Sequence, residues 1–129
     1  MSAPTELLGW VVRAEEDFML VRSALRRKRP LLYGATFHAQ QCVEKYLKAL
    51  LVAHGLVFPR THDLVALSDL CLQGGITIPV EQDRLDRLAA YAVQVRYPGA
   101  DPALAEAREA FQVAQTVRRF VRRFLKPHL

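Results

Sequence analysis

Apolar side chains recur at three- and four-residue spacing along almost the whole chain, which is the pattern of helices with one buried face. The two-residue alternation of β-branched residues between tight turns that would mark strands is missing. The spacing predicts a first helix over residues 5–27, with a core stripe of Leu7, Val11, Ala14, Phe18, Val21 and Leu25. Arg26, Arg27, Lys28 and Arg29 crowd its C-terminal end, where cations complement the helix dipole, and Pro30 stops it. A second and longer helix begins between residues 31 and 34 and reaches residue 54, with Gly55 placed for a left-handed C-terminal residue. After Phe58, Pro59 and Arg60, Thr61 is the expected N-cap of a short third helix from residue 62 to about 72, which Gly74 and Gly75 end. A fourth helix opens around Pro79 and continues through Leu85, Leu88, Ala89 and Ala92 to about residue 95. Asp101 followed by Pro102 is the expected start of a fifth, reaching about residue 126. Its stripe is Leu104, Ala107, Phe111, Ala114, Val117, Val121 and Phe124. The expected fold is all-α, a single domain over residues 1–129 built as an antiparallel bundle of four long helices plus one short helix.

Composition narrows the class. An apolar share of 51% is far from that of a disordered chain. Eighteen Lys and Arg against thirteen Asp and Glu give a net charge of +5, which favours encounter with anionic partners without specifying a site. No run approaches the roughly 18–20 consecutive apolar residues of a membrane span. The opening MSAPTELLGW lacks the basic and apolar regions of a secretory signal, so a cytoplasmic location without a membrane partner is expected. Cys42 and Cys71 form no CxxC pair and have no His at zinc-finger spacing, which makes them buried thiols. No metal site and no cofactor are expected, since metal-ligand clusters, a phosphate-binding glycine loop and a nucleophile elbow are all missing.

The segment QQCVEKYLKALL places Gln41, Glu44 and Lys48 within about 60° of one another on the second helix, with Lys45 beside them. Cys42, Tyr46, Ala49, Leu50 and Ala53 take the other side, so spacing alone reads the polar stripe as a solvated face. Its Glu44–Lys48 pair would then be worth only ~0.3–0.5 kcal/mol. Antiparallel packing is expected to gather His54, His62, Asp63, Arg96, Tyr97 and Asp101 at one end of the bundle, with Lys48 about two turns below. There Arg96 suits a bidentate phosphate contact, Tyr97 can stack or donate, and His62 can donate to an anion. Plainer roles are also open: Asp63 assisting the start of the third helix and Arg96 neutralising carbonyls at the end of the fourth. RRFVRRFLK interleaves Phe120 and Phe124 with arginines, but its phenylalanines continue the core stripe, which favours a structural role.

QQCVEKYLKALL, THDLVAL and YAVQVRYPG, in that order and spacing, resemble the three landmarks of HEPN-domain proteins, and the resemblance covers nearly the whole chain. It implies an α-helical bundle, often a homodimer, partnered with a minimal nucleotidyltransferase within a toxin–antitoxin-like pair or binding a nucleotide or RNA. The implied site residues are Gln41, Glu44, Lys45, Lys48, His62, Asp63, Arg96 and Tyr97. Many HEPN proteins are metal-independent ribonucleases marked by Arg, four to six residues, then His. Here the positions after Arg96 where that His would stand are Asp101, Pro102 and Ala103, and the next His is His128. A binding or partner module is therefore favoured over an enzyme. The alternatives are a divergent endoribonuclease using Arg96 with His62 as substitute base, and a purely structural bundle. The carboxylates of a nucleotidyltransferase are not recognisable, so that activity would belong to a partner chain. Trp10 and Met19, apolar residues beside the main stripe of the first helix, add to the expectation of a homodimer.

Overall fold

The computed structural model describes the backbone of residues 2–92 and 98–129 and the side chains of residues 5–92 and 98–129. Its helices are α1 Ser2–Arg26, α2 Leu32–Ala53, α3 Leu64–Gln73, α4 Gln82–Ala89 and α5 Leu104–Leu125. Tight 3-10 turns continue α4 over Ala90–Ala92 and α5 over Lys126–His128. Among the described residues there is no strand, and the chain is the all-α bundle that the hydrophobic spacing predicts.

Helix starts shift for identifiable reasons. Asp63, not Thr61, caps α3, accepting from the backbone N–H of Ala66 at 3.1 Å, while the Thr61 hydroxyl accepts from the N–H of Asp63. α4 begins three residues after Pro79, behind a turn in which Ile78 is buried and Val80 half-buried. α5 begins at Leu104 and not at Pro102, because Glu106 reaches back to the backbone N–H of Ala103 at 2.9 Å and fixes Ala103 as the cap. Gly55 takes the left-handed conformation expected of it, at φ 65°. The expected end of the fourth helix at residue 95 lies outside the described residues, as do Arg96 and Tyr97.

α2 is the axis of the bundle. Ala35, Ala39, Cys42, Val43, Tyr46, Leu47, Ala49, Leu50 and Leu51 are all fully buried, so this helix is enclosed on nearly every side. α1 runs antiparallel to it: Ala24 accepts from the N–H of Leu31 where the chain turns back, and Trp10 lies beside Lys48 near the other end. α5 instead runs parallel to α2, since His54 packs on Phe124 with ring centroids 5.1 Å apart. That pairing separates His54 from Asp101, which the expected gathering places together at one end. The C-terminal end of α2 keeps company with the C-terminal end of α5, whereas Asp101 precedes the start of α5, about 30 Å along the axis at 1.5 Å per residue. The core stripe of α1 is buried from Leu7 to Val21, with Leu25 half-buried. On α5, Leu104 departs from its expected place and is exposed.

Because Leu47 is fully buried at the centre of α2, Leu47→Ala should destabilise the fold by about 2–5 kcal/mol in urea unfolding. Met19→Ala, at a side chain 64% exposed, should change stability by less than about 0.5 kcal/mol.

Candidate functional site

The polar stripe of α2 is not a solvated face. Gln40, Glu44 and Lys48, one turn apart, are 0%, 4% and 7% exposed. Their flanking neighbours Val43, Leu47 and Leu51 are apolar and buried, which carries the stripe inside with them. Glu44 sits at the centre of a network. One of its carboxylate oxygens accepts from Lys48 Nζ at 3.0 Å. The other meets Gln40 Nε2 at 3.1 Å and His62 Nδ1 at 2.8 Å. Gln40 Nε2 also lies 3.4 Å from the carbonyl of His62, and Gln41 Nε2 donates to the Gln40 side-chain oxygen at 2.7 Å. The Lys48 ammonium lies 5.5 Å from the centre of the Trp10 ring and 5.9 Å from that of Phe58, and these two rings meet edge to face at 6.3 Å.

Burial by itself would raise the Glu44 carboxyl, but the hydrogen bonds from His62, Gln40 and Lys48 together with the Lys48 charge outweigh it and hold the group below its ordinary value. Lys48 is enclosed: its one hydrogen bond among the described residues goes to Glu44, and the Trp10 and Phe58 rings flank its ammonium. His62 is the member open to solvent, with a side chain 71% exposed against 5% for Glu44. Its Nδ1 is held by the carboxylate, and Nε2 has no partner among the described residues. A buried acid, amide and amine thus fix the orientation of one exposed imidazole.

Lys45 is drawn away into a second network between α1 and α2. Its ammonium reaches the buried Asp17 at 2.6 Å, and His38 Nδ1 meets the other oxygen of Asp17 at 2.8 Å. Two residues before Asp17, Glu15 of α1 receives Arg118 through Nε at 2.6 Å and Nη2 at 3.1 Å, and accepts from the Tyr46 hydroxyl. Asp63 caps α3 and is exposed. Of the residues expected at the site, Gln41, Glu44, Lys48 and His62 are therefore connected; Lys45 and Asp63 serve elsewhere, and Arg96 and Tyr97 fall outside the described residues.

The HEPN domain profile matches residues 8–124. The chain belongs to the HEPN family. A protein of Methanocaldococcus jannaschii named "Putative toxin MJ1304" is 37% identical over 51 residues, which are 40% of this chain and 32% of that protein. The chain thus spans about a third of the length of that relative. The crystal structure of TT1696 from Thermus thermophilus superposes with a TM-score of 0.68 at 27% identity, covering 95% of this chain and 98% of the other.

In this HEPN chain the residues missed by sequence reasoning are Gln40, Trp10 and Phe58. Gln40 was legible in part: it stands four residues before Glu44 and eight before Lys48, one turn apart on a shared face. Trp10 and Phe58 come from a distant helix and a loop, and no local pattern announces them. Cys42 and Cys71 are both buried free thiols, with burial pushing the Cys71 thiol up to about 11, and no metal-binding cluster occurs among the described residues. No helix among the described residues is long and apolar enough to cross a membrane.

Glu44→Gln leaves the Lys48 ammonium buried without a counter-charge, and should destabilise the fold by about 3 kcal/mol at neutral pH. Adding Lys48→Met should return about 1–2 kcal/mol of that loss. Since folding depresses the Glu44 pKa, its stabilisation is complete above the ordinary value of 4.5 and is lost as pH falls through the folded value. The gap between wild type and Glu44→Gln in denaturant titrations should therefore stay constant near neutrality and close on acidification below about pH 4.5.

Proposed function

We propose that this HEPN chain is the binding half of a toxin–antitoxin-like pair, presenting His62, together with Arg96 and Tyr97 of the third landmark, to the phosphate of a nucleotide or RNA, with a small nucleotidyltransferase as partner chain. The observation that carries the reading is the contrast within one network: Gln40, Glu44 and Lys48 are buried, and the imidazole they orient is 71% exposed. Burying two charges costs several kcal/mol per ion before pairing, more than capping a loop requires. That arrangement suits a side chain whose direction matters. The likeness of part of the chain to a protein named as a toxin supports the two-component setting. The module is read as a homodimer, because Val12 and Met19 on α1 are each 64% exposed, with Leu8 and Leu20 exposed beside them. Trp10, in contrast, is occupied within the chain by Lys48 and Phe58.

One observation favours a second reading as an endoribonuclease. A carboxylate 2.8 Å from His62 Nδ1 leaves Nε2 free, which is how an imidazole is held to act as a general base, and His62 would then replace the histidine missing after Arg96.

Calorimetric titration with ATP, GTP and short RNA should show saturable binding that His62→Ala and Arg96→Ala each weaken by about 1.5–3 kcal/mol, with circular dichroism unchanged for the exposed His62. Incubation of the protein with RNA in the absence of metal should give no cleavage. Cleavage that survives repurification and is lost in His62→Ala would replace the binding module with the enzyme. Undetectable binding of all three ligands would leave the imidazole structural. Sedimentation should show a dimer at micromolar concentration that Val12→Glu with Met19→Glu dissociates, and a monomer in the wild type would remove the homodimer from the reading.

A further inference from the structure

The arginines of the last helix do more than decorate its end. Phe120 and Phe124 pack partly buried against the core, as the stripe requires. Arg118 and Arg119, however, face α1 across a groove of about 480 Å³, whose opposite wall carries Arg22 and Arg26. Its lining includes the stacked rings of Phe18 and Phe111, with centroids 5.6 Å apart and planes inclined by 25°. Arg22 and Arg26 stand one helical turn apart, about 6 Å along the axis. They also line an adjoining concavity of about 400 Å³ on the outer side of α1, which Arg27 extends and which Met19, of the face read as the dimer contact, also lines, so the two readings meet along this edge of α1. The positive surface is thus a track running over α1 and not a closed pocket.

The charge of this track is largely unspent. Arg118 lies over Phe18 at 4.6 Å and gives Nε and Nη2 to Glu15, which fixes its guanidinium beside the groove. Glu15 is already satisfied by Arg118, Arg122 and Tyr46. Arg22, Arg26 and Arg119 have no carboxylate partner among the described residues, and all three are exposed. Four guanidinium groups on two facing helices, one already rigid, match a chain of regularly spaced phosphates, since the planar fork pairs with phosphate oxygens in two-point contacts. A compact anion would engage the groove and leave Arg27 and the adjoining concavity unused.

We propose that the α1–α5 groove is a second anion site that holds the backbone of a single-stranded polynucleotide, separate from the His62 network and independent of what that network binds. The binding is to backbone phosphates, so it is tolerant of base sequence and steeply dependent on salt.

The test is fluorescence anisotropy with a labelled twelve-nucleotide RNA across a salt series. For single strands each phosphate neutralised contributes about −0.7 to the slope of log affinity against log salt, so Arg22→Ala, Arg26→Ala and Arg119→Ala combined should flatten it by about 2 and weaken binding at least tenfold. Lysine at the same three positions should keep the slope. A charge-matched control, Arg13→Ala, Arg84→Ala and Lys126→Ala, removes as much charge elsewhere, Arg13 lying on the far side of α1 from Phe18 at 100° per residue, and should keep both slope and affinity. His62→Ala should leave the slope unchanged, which separates failure of this groove from failure of the His62 reading. Equal losses in the groove variant and the charge-matched control, or no RNA binding in the wild type, would overturn the proposal. So would displacement of the RNA by polyglutamate at equal charge, which would make the groove a face for an acidic protein.

Discussion

A carboxylate buried in the flank of the central helix constrains everything around it. Removing an ion from water costs several kcal/mol, so Glu44 survives there only with its hydrogen-bonding capacity met. Lys48 meets one oxygen from the next turn, and Gln40 and His62 meet the other. Lys48 in turn is screened from water by Trp10 of α1 and Phe58 of the loop after α2. One residue thereby ties together the first helix, the central helix and the loop that leads into α3. The contact between Gln40 and the carbonyl of His62 adds a backbone tether, so the position of the imidazole is set by buried groups although the ring itself is wet.

The second network obeys the same rule at another place. Asp17 is buried on α1 and is answered from α2 by Lys45 and His38. Glu15, two residues earlier, faces α5 and is answered by Arg118 and Tyr46. Burial tends to raise the Glu15 carboxyl, but the Arg118 and Tyr46 hydrogen bonds and the two arginine charges hold it below its ordinary value. Burial and the Glu15 hydrogen bond both push the Tyr46 hydroxyl upward, keeping it a donor. Paired buried charges contribute little net stability over apolar packing, but they penalise any other register of α1 against α2 and α5. Polar fixtures of this kind suit a bundle whose apolar stripes could slide by a turn.

The two networks fix side chains on different parts of the surface. The Glu44 network directs one solvent-facing imidazole, and its own lysine is buried against the carboxylate. The Glu15 network immobilises one arginine beside several that have no carboxylate partner among the described residues. A member of the HEPN family that lacks the histidine downstream of its arginine thus retains a carboxylate-oriented His62 in the second landmark and an arginine-lined groove far from it in sequence.

Much of the fold was legible in the chain because it depends on local periodicity: the helical class, the stripes of α1 and α5, and the turn at Gly55 follow from which side chains recur every three or four residues. The helix starts were less legible, since Asp63 and Glu106 compete for backbone N–H groups with Thr61 and Asp101, and small hydrogen-bond differences decide the winner. Glu44, Lys48 and His62 could be singled out from the sequence, but whether their stripe faced water could not, because α2 carries apolar residues on more than one side. Only the tertiary structure decided that α1, α3 and α5 enclose it, that α5 runs parallel to it and sends Asp101 to the opposite end, and that Trp10 and Phe58 roof Lys48. The physical reason is that periodicity reports which faces of a helix are apolar, while burial of a polar face depends on how many neighbours surround the helix, and that number is a property of the assembled bundle.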